Sequence, residues 1–166
     1  MLSDAYCGGS GTSMMPIYFV SSSSYSDKCL SQITEGKMTF YAVEFNGTTV
    51  TGYKIYNSQI TPSSFSISMG SNVMAAGGHV YIGGGPGEPP WNGFISNVQI
   101  YNATLTSNEI FAQYVAGFGG APVNLKNLIA WYPLNGNAND YSGNNNNGVP
   151  SNVIYTAAWE SAYSGT

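Results

Sequence analysis

Eight carboxylates, one histidine and two cysteines could do bond-making chemistry in this chain: Asp4, Asp27, Glu35, Glu44, Glu88, Glu109, Asp140, Glu160, His79, Cys7 and Cys29. Glycoside hydrolysis needs two carboxylates at a fixed separation. Here the acids stand singly, and no Glu-x-Asp-x-Glu run is present. Glu44 alternates with bulky apolar residues and could face a cleft, but a structural acid facing a sheet edge fits the same pattern. Glu109 is already engaged in a helix cap. His79 has no acid or nucleophile beside it and reads as a surface or strand histidine. Two cysteines and one histidine do not make a zinc site. These residues predict no catalytic centre and a protein that is not an enzyme.

The non-covalent chemistry is richer. Aromatic residues make up 14% of the chain and include thirteen Tyr. Tyr and Trp stack on sugars and also anchor protein interfaces. Trp91 beside Pro89-Pro90, and Trp159 with Tyr155 and Tyr163, are the candidates. Trp131 lies in an apolar run, so packing is expected there, and packing under a loop is expected for Trp91. Calcium could be held at Asn137, Asn139 and Asp140 through carbonyls and a single carboxylate. Hard cations want several carboxylates, and an Asx-rich turn fits the same residues. No other cofactor is implied.

Only 7% of residues are charged, against about a quarter in an ordinary globular domain. There are four Lys and no Arg, and the net charge is −4. Nucleic-acid binding needs a cationic footprint, which is missing. No apolar run approaches a membrane span, and Met1-Leu2-Ser3-Asp4 does not begin a secretory signal. The polar surface must come from Ser, Thr, Asn, Gly and Tyr. This composition points to an extracellular or cell-surface protein. In that setting Cys7 and Cys29 are expected to form a disulfide closing a loop of roughly 20 residues, with two buried thiols as the alternative. Asn46-Gly-Thr48 and Asn102-Ala-Thr104 match the N-glycosylation pattern.

The elements that must position these residues are mostly strands. Strand signals occur at Met14–Ser21, Lys37–Phe45, Thr48–Tyr56, Phe65–Met69, His79–Gly83, Gly93–Tyr101, Leu128–Leu134 and Val153–Thr156. Asn46-Gly47 predicts a hairpin turn. Gly83-Gly-Gly-Pro-Gly-Glu-Pro-Pro90 is a loop without the Lys-Ser/Thr pair of a phosphate cradle. One helix is predicted near 107–115: Thr106 and Glu109 form a capping box, Ile110, Phe111 and Tyr114 form a stripe, and Gly117 ends it. Evenly spaced strands with turn signals indicate a β-sandwich.

Three stretches carry a resemblance. Trp91-Asn-Gly-Phe-Ile-Ser-Asn-Val-Gln-Ile-Tyr-Asn-Ala-Thr-Leu-Thr-Ser-Asn-Glu-Ile110 resembles the closing signature of laminin-G-like, concanavalin-A-like jelly-roll domains. Lys37–Tyr53 resembles their central hairpin. Leu128-Ile-Ala-Trp-Tyr-Pro-Leu-Asn-Gly-Asn-Ala-Asn-Asp140, with the Asn-rich run that follows, resembles their first strand and loop. The family usually carries acids and an Arg where Ser96, Asn97 and Gln99 stand here, and often an Asp where Asn135 stands; Asp140 is kept. The resemblance implies an antiparallel all-β jelly-roll sandwich.

It also implies an inverted order, because the closing motif precedes the opening one. On this reading residues 1–117 form the main body, 118–127 a linker, and 128–166 the opening strands of a laminin-G-like domain. First and last strands are neighbours in the family. Leu128, Ile129, Ala130, Trp131, Tyr132 and Leu134 are therefore expected to pair with an acceptor strand containing Phe94, Ile95, Val98 and Ile100. The tail could fold back on its own body, enter a neighbouring copy head to tail, or belong to a tandem repeat. The expectation is exchange between copies. The function that follows is a non-catalytic extracellular structural or adhesive subunit able to form filaments. A carbohydrate-binding module, with glycans as partners, is the alternative.

Overall fold

The computed structural model describes residues 14–20, 25–32, 38–46, 49–56, 59–66, 79–85 and 90–156. For β1 (Met14–Val20), β2 (Tyr25–Gln32) and β5 (Gln59–Ser66) the backbone alone is described. The described strands fall into three antiparallel sheets of two, three and two strands. The chain divides into two compact units, residues 1–93 and 94–166.

In the first unit β1 and β2 pair antiparallel, with Ile17 opposite Lys28 and Val20 opposite Tyr25. The register slips between Met14 and Pro16, where the proline brings no N–H to the ladder. β3 (Phe40–Phe45), β4 (Thr49–Tyr56) and β5 form the second sheet in that order. The turn predicted at Asn46 closes the β3–β4 hairpin: its N–H donates to the Thr49 carbonyl at 3.2 Å, and its Oδ1 accepts the Thr49 N–H at 2.9 Å. Val50 and Ile55 of the central strand are fully buried. They stand five residues apart and so face opposite sides of the sheet, with both sides covered.

Two strand expectations in this unit are corrected. The strand expected at 65–69 is β5, which starts at Gln59 and holds Pro62 opposite Tyr53. A proline is tolerated there because β5 is an edge of its sheet; residues 67–69 lie outside the described residues. His79–Gly83 does not form a strand. Val80 is 67% and Tyr81 56% exposed, and Gly83 takes a φ of 83°. Strand-forming residue types without a partner do not make a ladder.

The second unit runs β6 (Val98–Tyr101), α1 (Ser107–Ala116), a short 3-10 turn at Leu125–Asn127, and β7 (Leu128–Tyr132). The expected capping box is present. The Glu109 N–H donates to Thr106 Oγ1 at 3.3 Å, and the Thr106 N–H donates to Glu109 Oε2 at 2.7 Å. Gly117 closes the helix at φ 72°, its N–H donating to the Tyr114 carbonyl at 3.1 Å. Among the described residues of this unit Ile110, Pro122, Leu128 and Ala130 are buried apolar side chains, and Gln113 is also buried. The Gln113 amide donates to the Ala121 carbonyl at 3.2 Å, so its burial leaves that donor satisfied. Val153–Thr156 is irregular and Ile154 is 90% exposed, so the last expected strand is absent from the described residues. Among those residues no helix is long and apolar enough to cross a membrane.

Candidate functional site

β7 pairs antiparallel with β6 of the same chain. Val98 stands opposite Tyr132, Gln99 opposite Trp131 and Ile100 opposite Ala130, with a slip before Tyr101 and Leu128. Backbone bonds extend the ladder at both ends. The Asn97 N–H donates to the Pro133 carbonyl at 3.2 Å, and the Asn102 N–H to the Asn127 carbonyl at 2.9 Å. Alternation puts Leu128 and Ala130 on the buried face, 6% and 2% exposed, while Ile129 is 38% exposed on the other. Removing Leu128 from water contributes about 2 kcal/mol.

The acceptor is shorter than the sequence implied. Val98 and Ile100 lie in the ladder. Phe94 and Ile95 lie outside it, 64% and 36% exposed. The break is at Asn97, whose φ of 51° ends the extended backbone. At the same end of the ladder Leu134 is outside the strand with a φ of 60°, one residue after Pro133, which cannot donate. β6 of the same chain thus occupies the acceptor position that the sequence reading gave to a second copy.

The Asn97 amide works in both directions. Oδ1 accepts from Trp131 Nε1 at 2.8 Å and from Gln99 Nε2 at 3.1 Å. Nδ2 donates to the carbonyls of Gly117 at 3.2 Å and Gly120 at 3.0 Å. An aspartate could only accept. Asn97 therefore ties β6, the indole of β7 and the end of α1 together. Trp131 is half-buried, its N–H is satisfied, and its ring meets Tyr141 edge-on at 6.2 Å.

The loop after β7 folds back along that strand's outer edge. The Trp131 N–H donates to Asp140 Oδ1 at 2.9 Å, and the Tyr141 N–H donates to the Trp131 carbonyl at 2.8 Å. The Ile129 carbonyl accepts from Ser142 Oγ at 3.1 Å, Asn144 Nδ2 at 3.0 Å and Asn146 Nδ2 at 2.9 Å. These groups stand where a third strand would. Asp140 organises them: Oδ1 also accepts the Ser142 N–H at 2.8 Å, and Oδ2 accepts Ser142 Oγ and the Asn146 N–H, both at 2.9 Å. Its own N–H donates to Asn147 Oδ1 at 2.9 Å. Partial burial pushes the Asp140 carboxyl up, but the donors from Trp131, Ser142 and Asn146 outweigh it and hold the group below its ordinary value.

That arrangement has the form of the Asx-rich turn that the same residues allowed. A carboxylate has about four lone-pair positions, and four donors reach Asp140. Asn137 and Asn139 serve the turn instead, the Asn139 N–H donating to Asn137 Oδ1 at 2.8 Å. Among the described residues no three His, Cys, Asp or Glu side chains gather to hold a metal.

The other candidates are dispersed. Glu44 accepts from the Tyr53 hydroxyl at 3.0 Å, and its Oε1 is buried without a hydrogen-bond partner among the described residues. Burial and then Glu44 raise the Tyr53 hydroxyl pKa. His79 is exposed, 6.2 Å from the Tyr81 ring. Trp91 is half-buried, its backbone N–H donating to the Gly83 carbonyl at 2.6 Å and its indole lying close over Gly93. Asn46 and Asn102 are both exposed. Cys7, Trp159 and Tyr163 lie outside the described residues, and of Cys29 only the backbone is described. Asn97, Ser142, Asn144, Asn146 and Asn147 were not singled out as functional from sequence. The density of Asn after Asp140 was the available signal.

A family model described as the concanavalin A-like lectin/glucanases superfamily, Laminin_G_3, matches residues 10–111. The chain belongs to this family. Laminin-G-like domains of this superfamily imply a β-sandwich of jelly-roll type, in line with the antiparallel sheets and the single α-helix. The match ends inside α1, so β7 and its loop lie beyond it. No similar protein of established function and no similar solved structure was found.

Proposed function

We propose that this laminin-G-like protein is a non-catalytic structural and adhesive module that works outside the cell. The observation that carries the reading is the engagement of Asp140. The only carboxylate of its loop accepts four hydrogen bonds, one from Trp131 of β7 and three from Ser142 and Asn146 of the loop itself, which supports a structural role for it. A surface with so few charges presents amides, hydroxyls and tyrosines, which serve contact with proteins or glycans. The exposed sequon residues Asn46 and Asn102 fit glycosylation in that setting.

In this reading β6 and β7 form a joint between the end of one laminin-G-like unit and the beginning of another, closed within one chain. Exchange of β7 between copies would use the same register and give head-to-tail filaments. The segment between α1 and β7 is pinned by Asn97, Gln113 and the Asn124 to Glu109 bond of 3.2 Å, and exchange would have to release it. Gel filtration of the full chain tests the joint: a monomer is expected, and a ladder of polymers would establish exchange instead. A chain truncated after Gly120 should bind a synthetic peptide of residues 125–156, because it lacks β7.

Glycan binding is the second reading. Tyr141 is 51% exposed among loop amides, and Asn137 Nδ2 donates to its hydroxyl at 3.2 Å. Its ring is tilted 66° to Trp131, which is not the flat platform on which a sugar face stacks. Tyr141→Ala with unchanged glycan-array binding would remove this reading.

A further inference from the structure

Two Asn-Gly pairs lie in the loop after β7, Asn135-Gly136 and Asn147-Gly148. Such a pair can react with itself. The glycine amide nitrogen, having lost its proton, attacks the asparagine Cγ. A C–N bond forms, the bond from Cγ to its NH2 breaks, and ammonia leaves carrying a proton. Water then opens the five-membered imide at either carbonyl, giving aspartate or isoaspartate. A fold slows the reaction when it engages the glycine N–H and holds the asparagine side chain away from the attack direction.

The two pairs differ in both respects. The Gly148 N–H donates to the Ala138 carbonyl at 2.8 Å, and Asn147 Oδ1 accepts the Asp140 N–H at 2.9 Å. A Cβ on Gly148 would stand 3.1 Å from that same carbonyl oxygen, so the backbone is clamped against Ala138. Asn135 and Gly136 are exposed, and neither the Gly136 N–H nor the Asn135 side chain makes a hydrogen bond among the described residues. Open space surrounds Gly136 at φ 123°, and Leu134 before it is held at φ 60°, a strained conformation for a leucine.

We propose that Asn135 is a site of spontaneous conversion to aspartate and isoaspartate, while the fold protects Asn147. The product adds a second carboxylate to a loop that has one. Isoaspartate also lengthens the backbone by one carbon where the chain turns back toward β7, and so slackens the grip of Asp140 on the Trp131 N–H. The inference is independent of the adhesive role.

The full folded chain, aged at mildly alkaline pH, is the test. Cleavage after Tyr141 separates the two pairs, fragment mass spectra locate each converted residue, and an isoaspartyl methyltransferase reports isoaspartate. Two engaged groups at Asn147-Gly148 should make Asn135 react roughly tenfold faster or more, and a parallel sample in denaturant should close the gap. Equal rates in the folded chain would overturn the proposal. So would a gap that persists in denaturant, or an Asn135 that reacts only there.

Discussion

The carboxylate of Asp140 accepts the backbone N–H of Trp131 at 2.9 Å, nine residues back along the chain. It thereby converts a loop side chain into a member of the sheet. Asp140→Ala removes the acceptor from Trp131, Ser142 and Asn146 together. Hydrogen bonds to a charged group are worth about 1.5–3 kcal/mol. The partly solvated site places the expected loss near the lower end, about 2 kcal/mol, read as a drop in the denaturation midpoint with an unchanged slope.

Acid should act on the same group. The Asp140 carboxyl is held below its ordinary value by backbone and hydroxyl donors, and Glu109 likewise by the Thr106 N–H and hydroxyl. A depressed carboxyl contributes stability that is complete above its unfolded pKa and is lost as pH falls through the folded one. Stability from these two groups is therefore expected to be flat through neutrality and to fall only on the acid side of the ordinary carboxylate range. Asp140→Asn should flatten part of that fall in a series of melts against pH.

Asn97→Asp tests the two-way amide. The acceptor for Trp131 Nε1 survives, but the donors to Gly117 and Gly120 are lost and a charge faces two carbonyls. A loss of about 1–3 kcal/mol is expected. Asn97→Ala should also lose the indole bond, which the exchange rate of the Trp131 indole hydrogen would report.

Cys7 and Cys29 are expected to be bonded to each other. Mass spectrometry without reduction should show the deficit of two hydrogens and one crosslinked peptide. Two freely alkylated thiols would exclude the bond. Reduction should lower stability by about 3 kcal/mol for a loop of roughly this length.

The parts legible in sequence are those with local causes. The Thr106–Glu109 box and the Asn46 turn each depend on neighbours within a few residues, whereas the face of β7 that is buried, with Leu128 and Ala130, depends on packing that no neighbour in sequence specifies. β2 and the first part of β5, Gln59 to Ser64, were hidden because their residues are largely polar and owe their extension to β1 and β4. Residues 79–83 and 153–156 carry strand-forming types but are not in strands, so propensity misled. The pairing of β6 with β7 followed from resemblance, not from periodicity. The hold of Asn144 and Asn146 on the Ile129 carbonyl spans 15 and 17 residues. No local pattern announces such a contact, although the run of asparagines was visible.

The polar fringe along β7 also bears on aggregation. A sheet edge with free N–H and C=O groups is a template for aggregation, and many proteins guard such edges with lysine. This chain has four lysines in all, and amides and one carboxylate stand guard instead. The amide part of that guard is insensitive to salt, since hydrogen bonds between neutral groups are not screened. It is also brittle in a particular way: apolar replacements at Ser142, Asn144 and Asn146 would leave the fold's core untouched yet uncover a strand edge, turning a loop variant into an amyloid risk.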